Sequence, residues 1–221
     1  FSLKKARQPE SCTGCHRGPD QPMQKIHTTS EHGRVFEMQQ DNSGQASFLP
    51  TCQSCHLKNG KHGVRTAWGS LGVRLPFPWD EDPEWAQARR TVLQAVRALA
   101  PKGGTNKRLK AMTGNDLFRI SEADWMKARD RYLTDCADCH PRTYSEEALE
   151  QGDTMLREAD ILLARAITLV AGLYADGLLE QPESSQAAFP DLLNWPENPE
   201  PIEVELFRMY EEFRPRTFKA S

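Results

Sequence analysis

The feature that most constrains this chain is a pentapeptide, Cys-x-x-Cys-His, that occurs three times. The copies span residues 12–16, 52–56 and 136–140, and they contain all six cysteines of the chain. This pattern is the attachment signature of a c-type haem. Two thiols three residues apart lie on one face of a helical turn, where they can bond to the vinyl groups on one side of a porphyrin. The histidine that follows is placed to bind the iron, so the three copies predict three covalently bound haem c groups.

Two other uses of paired cysteines fit this pattern less well. A zinc ribbon joins two Cys-x-x-Cys knuckles at a shorter separation and does not require a histidine after each knuckle. A thioredoxin-like dithiol would occur once, beside a βαβ pattern that this chain lacks. We therefore predict six haem-attaching cysteines and three proximal iron ligands. The cysteines are Cys12, Cys15, Cys52, Cys55, Cys136 and Cys139, and the ligands are His16, His56 and His140.

The three remaining histidines are candidates for the second axial ligand of each iron. His27 and His32 follow the first motif, and His62 follows the second. Neutral imidazole is a common metal ligand, and three proximal plus three distal candidates use all six histidines of the chain. This count of histidines favours three haems that are each bound by two histidines and are therefore low-spin. A surface position for any of the three, or a ligand supplied by another chain, stays open.

Composition narrows the class of protein that carries these motifs. The chain has 221 residues, and its hydrophobic fraction of 38% and aromatic fraction of 8% are low for a core of that size, to which haems would add apolar bulk. The formal net charge is −3, and Lys and Arg form no sustained basic run, so we do not expect nucleic acid as a partner. The most apolar stretch, 161–179, contains Arg165 and Asp176, so we do not expect a membrane span.

The predicted compartment follows from the chemistry of haem attachment. Covalent c-type haems are generally attached after export of the chain. We therefore interpret Phe1 as following a removed signal peptide, or as the start of a fragment. The predicted localisation is periplasmic or extracellular.

Apolar residues recur at helical spacing over several segments, and no segment of any length alternates as a strand does. The predicted fold is therefore mainly α, a multihaem cytochrome c with long loops and long C-terminal helices. Asp82 and Pro83 predict the cap and the first residue of a helix over 83–100. Ser121 begins a capping box for a helix that runs into the third motif, where Pro141 breaks it.

The chain after His140 contains no cysteine or histidine. Its apolar periodicity predicts a long helix over 146–176 and a last helix over 202–213. We therefore predict a trihaem cytochrome domain over 1–144 and a haem-free helical region over 145–221. Because helices with apolar faces need a surface that covers them, this region either packs on the first domain or forms an oligomer interface.

Four stretches of the chain together resemble a known family. They are P-E-S-C-T-G-C-H-R-G-P-D-Q-P through S-E-H-G (9–33), the second motif with His62 and Trp68, A-D-I-L-L-A-R-A-I-T-L-V-A-G-L-Y (159–174) and I-E-V-E-L-F-R-M-Y-E-E-F-R-P-R-T-F (202–218). They resemble the later part of the octahaem hydroxylamine oxidoreductase family, and the resemblance covers most of this chain. It implies an α-helical cytochrome with closely spaced haems and distal ligands at His32 and His62. It also implies trimers formed through long C-terminal helices.

The chain departs from the pattern of that family in four places. A family enzyme has eight haems, one of them an open catalytic site, whereas this chain has three motifs. Gln21 stands where the family often has a histidine near the catalytic haem, so the expected acid/base group is missing. His27 stands where the family has a tyrosine-like residue, which agrees with a recruited ligand. The chain ends at Ser221, near where family members continue with a tail that can reach a neighbouring subunit's catalytic haem.

These observations favour electron transfer over catalysis by this chain alone. Iron with two histidine ligands has no free position for a substrate, and no other constellation of catalytic residues is visible. The predicted partners are redox proteins or other haem subunits, in a homo-oligomer or a larger complex. The alternative is a subunit or fragment of an enzyme of nitrogen-oxide chemistry, similar to hydroxylamine oxidoreductase or nitrite reductase, which needs one open haem. Stacking of protomers into an extracellular haem filament is a third hypothesis.

Overall fold

Every regular element in the described part of the chain is a helix. The computed structural model describes residues 3–6, 8–18, 22–43, 51–55, 82–100, 122–182, 189–194, 197, 199–213 and 217. In chain order the helices are α1 (Leu3–Ala6), α2 (Glu10–Thr13), α3 (Met23–Thr29), α4 (Glu31–Ser43), α5 (Cys52–Cys55), α6 (Pro83–Ala95), α7 (Glu122–Cys136), α8 (Arg142–Ala175) and α9 (Pro201–Arg208), and α9 continues as a π-helical turn (Met209–Phe213). The mainly α fold predicted from the sequence is confirmed.

The core forms where α6 lies against the long helix α8, which gives the most extensive helix packing among the described residues. Apolar residues recur every three or four positions on both helices, so each presents a continuous stripe to the other. The α9 helix and the loop before it close the same cluster. Its members include Val92, Leu93, Ala95, Leu163, Ile167, Val170, Leu192, Leu206 and Phe207. One core therefore spans the boundary proposed at residue 144, and the division into two domains stays a prediction.

A charged cluster lies inside this core, between α6 and α8. Asp160 is only 1% exposed. The Arg89 guanidinium donates to both of its carboxylate oxygens, at 3.1 and 2.9 Å, and the indole nitrogen of Trp85 donates to Oδ2 at 3.1 Å. A buried carboxylate is tolerated when it is paired and hydrogen-bonded in this way. The cluster fixes how α6 and α8 sit along each other, because all three side chains must meet at one point.

The ends of α6 show one prediction confirmed and one wrong. The side chain of Asp82 caps the helix by accepting from the backbone nitrogen of Trp85 at 3.0 Å, with Pro83 in the first turn. The helix ends at Ala95 and not at residue 100, because Arg97 takes a left-handed conformation with φ of 55°. The backbone nitrogens of Arg97 and Ala98 then bond back to the last helical turn, as in a Schellman motif. Arg97 also donates to Asp191 at 3.1 Å, so the turn joins α6 to the loop before α9.

The long helix α8 begins at Arg142, four residues before the predicted start, directly after Pro141. The helix ends at the predicted glycine stop. Gly177 adopts a φ of 70°, and the backbone nitrogen of Leu178 donates to the carbonyl of Leu173. The α9 helix begins with a capping box between Glu200 and Glu203.

The α9 helix is tied to α8 through a buried carboxylate. Glu203 is buried, and it accepts a short hydrogen bond from the hydroxyl of Tyr174 on α8. Burial, followed by this bond to Glu203, raises the pKa of Tyr174 well above its usual value. The phenol therefore stays protonated and remains a donor over the whole physiological pH range.

A tight corner joins α3 to α4. The hydroxyl of Ser30 donates to the carbonyl of His27 at 2.7 Å and accepts from the backbone nitrogen of Gly33 at 3.1 Å. A β-carbon at Gly33 would overlap the carbonyl oxygen of His27, so the two backbones approach too closely for any other residue. Phe36 is buried against the ring of His27, with 5.9 Å between ring centroids. The corner therefore fixes the distance between the candidate ligands His27 and His32.

We expect Asp160→Asn to destabilise the protein by about 3–5 kcal/mol, because the charge of Arg89 would stay buried without its partner. Thermal unfolding followed by far-ultraviolet circular dichroism would measure the loss. Glu84→Gln is the matched control, since it breaks an ion pair between Glu84 and Arg165 whose side chains are more than 60% exposed. Its expected cost is at most about 1 kcal/mol. Equal losses in the two variants would contradict a special role for the buried cluster.

We expect Gly33→Ala to destabilise the α3–α4 corner by about 1–3 kcal/mol, since the new methyl group must push the His27 backbone away. Gly172→Ala is the matched control, because nothing lies within 4 Å of its β-carbon position on the exposed side of α8. That control should gain about 0.5–1 kcal/mol from helix propensity. Denaturant unfolding of both variants checks the sign, and a neutral Gly33→Ala would show that the corner relaxes.

Candidate haem-binding sites

The first and third motifs fold into the same helical turn. In the first, the backbone nitrogens of Cys15 and His16 both donate to the carbonyl of Cys12, each at 3.1 Å. In the third, the equivalent nitrogens donate to the carbonyl of Cys136 at 3.1 and 3.0 Å. The cysteines of the second motif bound a helical turn of their own, α5. In the first and third motifs, the turn places the two thiols three positions apart on one side of a helix, as attachment to one porphyrin requires.

None of the thiols described in these motifs forms a disulfide. Cys12 and Cys136, the first cysteine of their motifs, are half-buried, whereas Cys15 and Cys139 are exposed. Cys52 is also half-buried. Thiols on an open helical turn, followed by an imidazole, form the donor set that haem c needs. The residues present therefore fit the cofactor that the motifs imply.

The first two motifs lie side by side. Gln53, between the cysteines of the second motif, donates through Nε2 to the carbonyl of Ala6 at 2.5 Å and to Sγ of Cys12 at 3.6 Å. Its other amide atom, Oε1, is buried without a hydrogen-bond partner in the part of the chain that the structure describes. The side chain therefore joins α5 to the α1–α2 segment at the sulfur that would carry the first haem.

The third motif meets one of the distal candidates. The ring centroids of His140 and His32 are 5.9 Å apart, with 48° between the ring planes. The ring of Tyr144 stacks on His140 at 5.0 Å and 27°. His27, by contrast, packs edge-on against Phe36. The structure thus brings together His32 and His140, which lie far apart in sequence.

Electrostatics favour the neutral form of His32. Burial of the ring by its neighbours lowers the pKa of His32, and the nearby His140 and His27 lower it further by repulsion of the protonated form. The imidazole is therefore neutral near pH 7, with a nitrogen lone pair available for a metal.

Several predicted site residues lie outside the described part of the chain. They include two candidate ligands, His56 and His62, together with Gln21 and the Ser121 cap. Cys55 is described in its backbone only. Gln53 and Tyr144, in turn, were not identified from the sequence. Tyr144 follows His140 at helical spacing, which was an available signal, whereas the reach of Gln53 to Cys12 depends on tertiary structure alone.

No helix among the described ranges combines the length and the apolar character needed to cross a bilayer.

The chain shows similarity to known multihaem proteins over nearly its whole length. Residues 1–67 match the family model described as "Seven times multi-haem cytochrome CxxCH". The chain is 22% identical, over 228 residues, to a Kuenenia stuttgartiensis protein described as "Probable nitrite reductase-hydroxylamine oxidoreductase fusion protein". That match covers 96% of this chain and 25% of the other protein.

Two solved structures share the fold. One belongs to a reducing HAO-like protein complex of Kuenenia stuttgartiensis, with a TM-score of 0.67 and 20% identity, covering 100% of this chain and 51% of that chain. The other is described as "Hypothetical multiheme protein", with a TM-score of 0.58 and 19% identity, covering 99% of this chain and 50% of that one. This chain therefore spans about a quarter of the curated relative and about half of each solved chain. These matches confirm the resemblance that the sequence carries, to multihaem c-type cytochromes of the hydroxylamine oxidoreductase type.

Proposed function

We propose that this chain transfers electrons through three covalently bound, bis-histidine haem c groups. The observation that carries the proposal is the approach of His32 to His140, because a second imidazole beside a motif histidine closes the site where a substrate would bind. The adjacency of Cys12 and Gln53 supports it, since haems attached at these neighbouring motifs would lie close enough for electron exchange. Resemblance to multihaem cytochromes agrees with both points.

Each group of residues has a separate role in this function. Haem c, when bound, supplies reversible one-electron chemistry. The six cysteines of the motifs would attach the porphyrins, and the motif histidines would bind the irons. Imidazoles from His27, His32 and His62 would fill the remaining iron positions, so electrons could enter and leave without exchange of ligands. Hydrogen bonds near the thioether sulfurs, such as that of Gln53, and burial then tune the redox potentials.

A second candidate function is a part in nitrogen-oxide chemistry. The name of the curated relative, a probable nitrite reductase-hydroxylamine oxidoreductase fusion, favours it. Such chemistry needs an iron with an open coordination position. In this chain, the open iron would be one whose candidate distal histidine does not bind it. Otherwise the open iron would belong to another part of a larger protein.

We further propose a periplasmic or extracellular location and assembly into a larger complex. Attachment of haem c after export supports the location. The solved HAO-like structure is a complex, which supports assembly with partner subunits.

One face of α8 supports self-association. Met155, Leu162 and Leu169 are each about half exposed and lie seven residues apart. Ala159, Ala166 and Leu173 fall between them at alternating spacings of four and three. This repeat is the seam of a coiled coil, and it lies beside the stripe that faces α6. We propose that this second stripe forms the interface between copies of the chain.

Electron paramagnetic resonance of the oxidised protein tests the main proposal. We expect three haems per chain by the pyridine haemochrome assay, and only low-spin signals that do not change when nitrite or hydroxylamine is added. The reason is that six-coordinate iron offers neither molecule a position. A high-spin signal that shifts with either compound would contradict bis-histidine closure and would favour the second candidate function.

Negative charges introduced into this second stripe of α8 should abolish self-association. We expect Leu162→Glu with Leu169→Glu to shift the protein to the monomer in size-exclusion chromatography with light scattering, because like charges would meet at the seam. Leu178→Glu is the control, since Leu178 is 70% exposed just beyond the end of α8. A wild-type protein that is already monomeric, or a double variant that keeps its mass, would contradict the proposed interface.

A further inference from the structure

We propose that Gln53, which lies within the second motif, raises the redox potential of the haem attached at the first motif by donating a hydrogen bond to the sulfur of Cys12. This inference deepens the proposed function and rests on it, because it requires a haem at the first motif. It assigns to one side chain the control of a haem that a different motif binds.

The contact between Gln53 and Cys12 is compatible with attachment of the haem. Nε2 of Gln53 donates to Sγ of Cys12 at 3.6 Å. The free thiol in this structure stands for the thioether sulfur of the attached haem. Attachment replaces the thiol hydrogen with a carbon and leaves the lone pairs of the sulfur, which is a weak acceptor in both forms. Because the hydrogen bond uses those lone pairs, it does not compete with attachment.

The carbonyl of Ala6 determines which end of the Gln53 amide meets the sulfur. Nε2 also donates to this carbonyl, at 2.5 Å. The reverse orientation would place Oε1 against a carbonyl oxygen and a thioether sulfur, which are both acceptors only. The arm that carries Ala6 is itself held, because the hydroxyl of Ser11 donates to the carbonyl of Lys5 at 2.7 Å. The amide therefore presents its positive end to the sulfur.

Gln53 keeps this orientation although its other amide atom is left without a partner. Oε1 is buried and makes no hydrogen bond in the part of the chain that the structure describes. A buried acceptor without a donor is destabilising, and an apolar side chain of similar length would avoid this cost. Packing therefore does not account for a polar amide at this position, whereas an effect on the neighbouring haem does.

The direction of the effect follows from the charge on the donor. Reduction adds an electron to the haem, and an N–H group at the attached sulfur places partial positive charge beside the edge of the porphyrin. The reduced form is stabilised more than the oxidised form, so the potential rises. Hydrogen bonding around a haem is one of the ways in which a protein sets this potential. Cys12 is half-buried, so water screens the interaction less than it would at a fully exposed site.

Potentiometric titration of the fully haem-loaded chain tests the role with three substitutions. Gln53→Met removes the donor and should lower the midpoint potential of one haem. Gln53→Glu also adds negative charge and should lower that potential further, whereas Gln53→Lys keeps a donor with positive charge and should raise it. A disturbed fold would shift all three variants in the same direction. That outcome, or unchanged potentials in Gln53→Met, would overturn the proposal.

The pair Cys12→Ala and Cys15→Ala identifies the haem and the sulfur involved. Each variant leaves the first haem attached by one thioether and with one free vinyl group, which shifts its visible absorption and so marks it. Gln53→Met should lower the potential of the marked haem in Cys15→Ala, where the acceptor sulfur remains, but not in Cys12→Ala. Equal shifts in the two backgrounds would overturn the role of the sulfur. A shift of an unmarked haem would overturn the assignment to the first motif.

Ser54→Ala is the matched control, because Ser54 lies next to Gln53 and its hydroxyl bonds to Thr51 within the same turn. It should leave the potential of the first haem unchanged. A shift equal to that of Gln53→Met would show that any change in the second motif acts on the first haem, which would overturn a specific role for Gln53. Failure of the proposed function would appear in the wild-type protein instead, as a wrong haem count or as high-spin iron that responds to nitrite.

Discussion

The contact between α6 and α8 depends on a carboxylate that water cannot reach. Asp160 is tolerable inside the core only because Arg89 and the indole of Trp85 occupy fixed positions around it. Apolar stripes alone would allow the two helices to slide by a turn, whereas three directional bonds to one carboxylate permit a single register. The end of α6, the loop at Asp191 and the α9 helix are then positioned from that register.

The part of the chain around the first two motifs is not organised by a large apolar core. There the described elements are short helices and tight corners, joined by single polar contacts such as that of Gln53 with Cys12. The proposed haem attachment would give such a segment rigidity through covalent and coordinate bonds, in place of buried apolar area. Haem attachment would therefore explain how a chain with an aromatic fraction of 8% can still define one fold.

Sequence reasoning predicted the parts of the fold that local chemistry determines. The cap at Asp82, the glycine stop after α8 and the mainly α class follow from short-range preferences, and the structure has them. It failed where tertiary contacts decide. The α6 helix ends early because Arg97 accepts a left-handed conformation, which costs an ordinary residue about 1 kcal/mol, and its side chain bonds to Asp191. No sequence rule predicts that a non-glycine residue will take that role.

The candidate site also has features that local sequence predicts and features that depend on tertiary contacts. Motif spacing alone identified every cysteine and each motif histidine as a haem residue, assignments that stay predictions. Motif spacing could not predict which distal histidine lies beside which motif, because the approach of His32 to His140 is a contact between segments distant in sequence. Sequence neighbourhood would have assigned His32 to the first motif. His32 lies in the close-packed corner at Ser30 and Gly33, and its ring lies beside that of His140.

The length of α8 separates the third motif from the far end of the helix. Its 34 residues make a rod of about 50 Å, since an α-helix rises about 1.5 Å per residue. The third motif lies just before its first turn, and α9 packs near its far end. Electrons pass between cofactors only over short gaps, so a molecule bound at the far end of this helix would be out of range of a haem attached at the third motif. Under the proposed function, a redox partner would therefore dock at the end of α8 where Tyr144 and Cys139 are exposed.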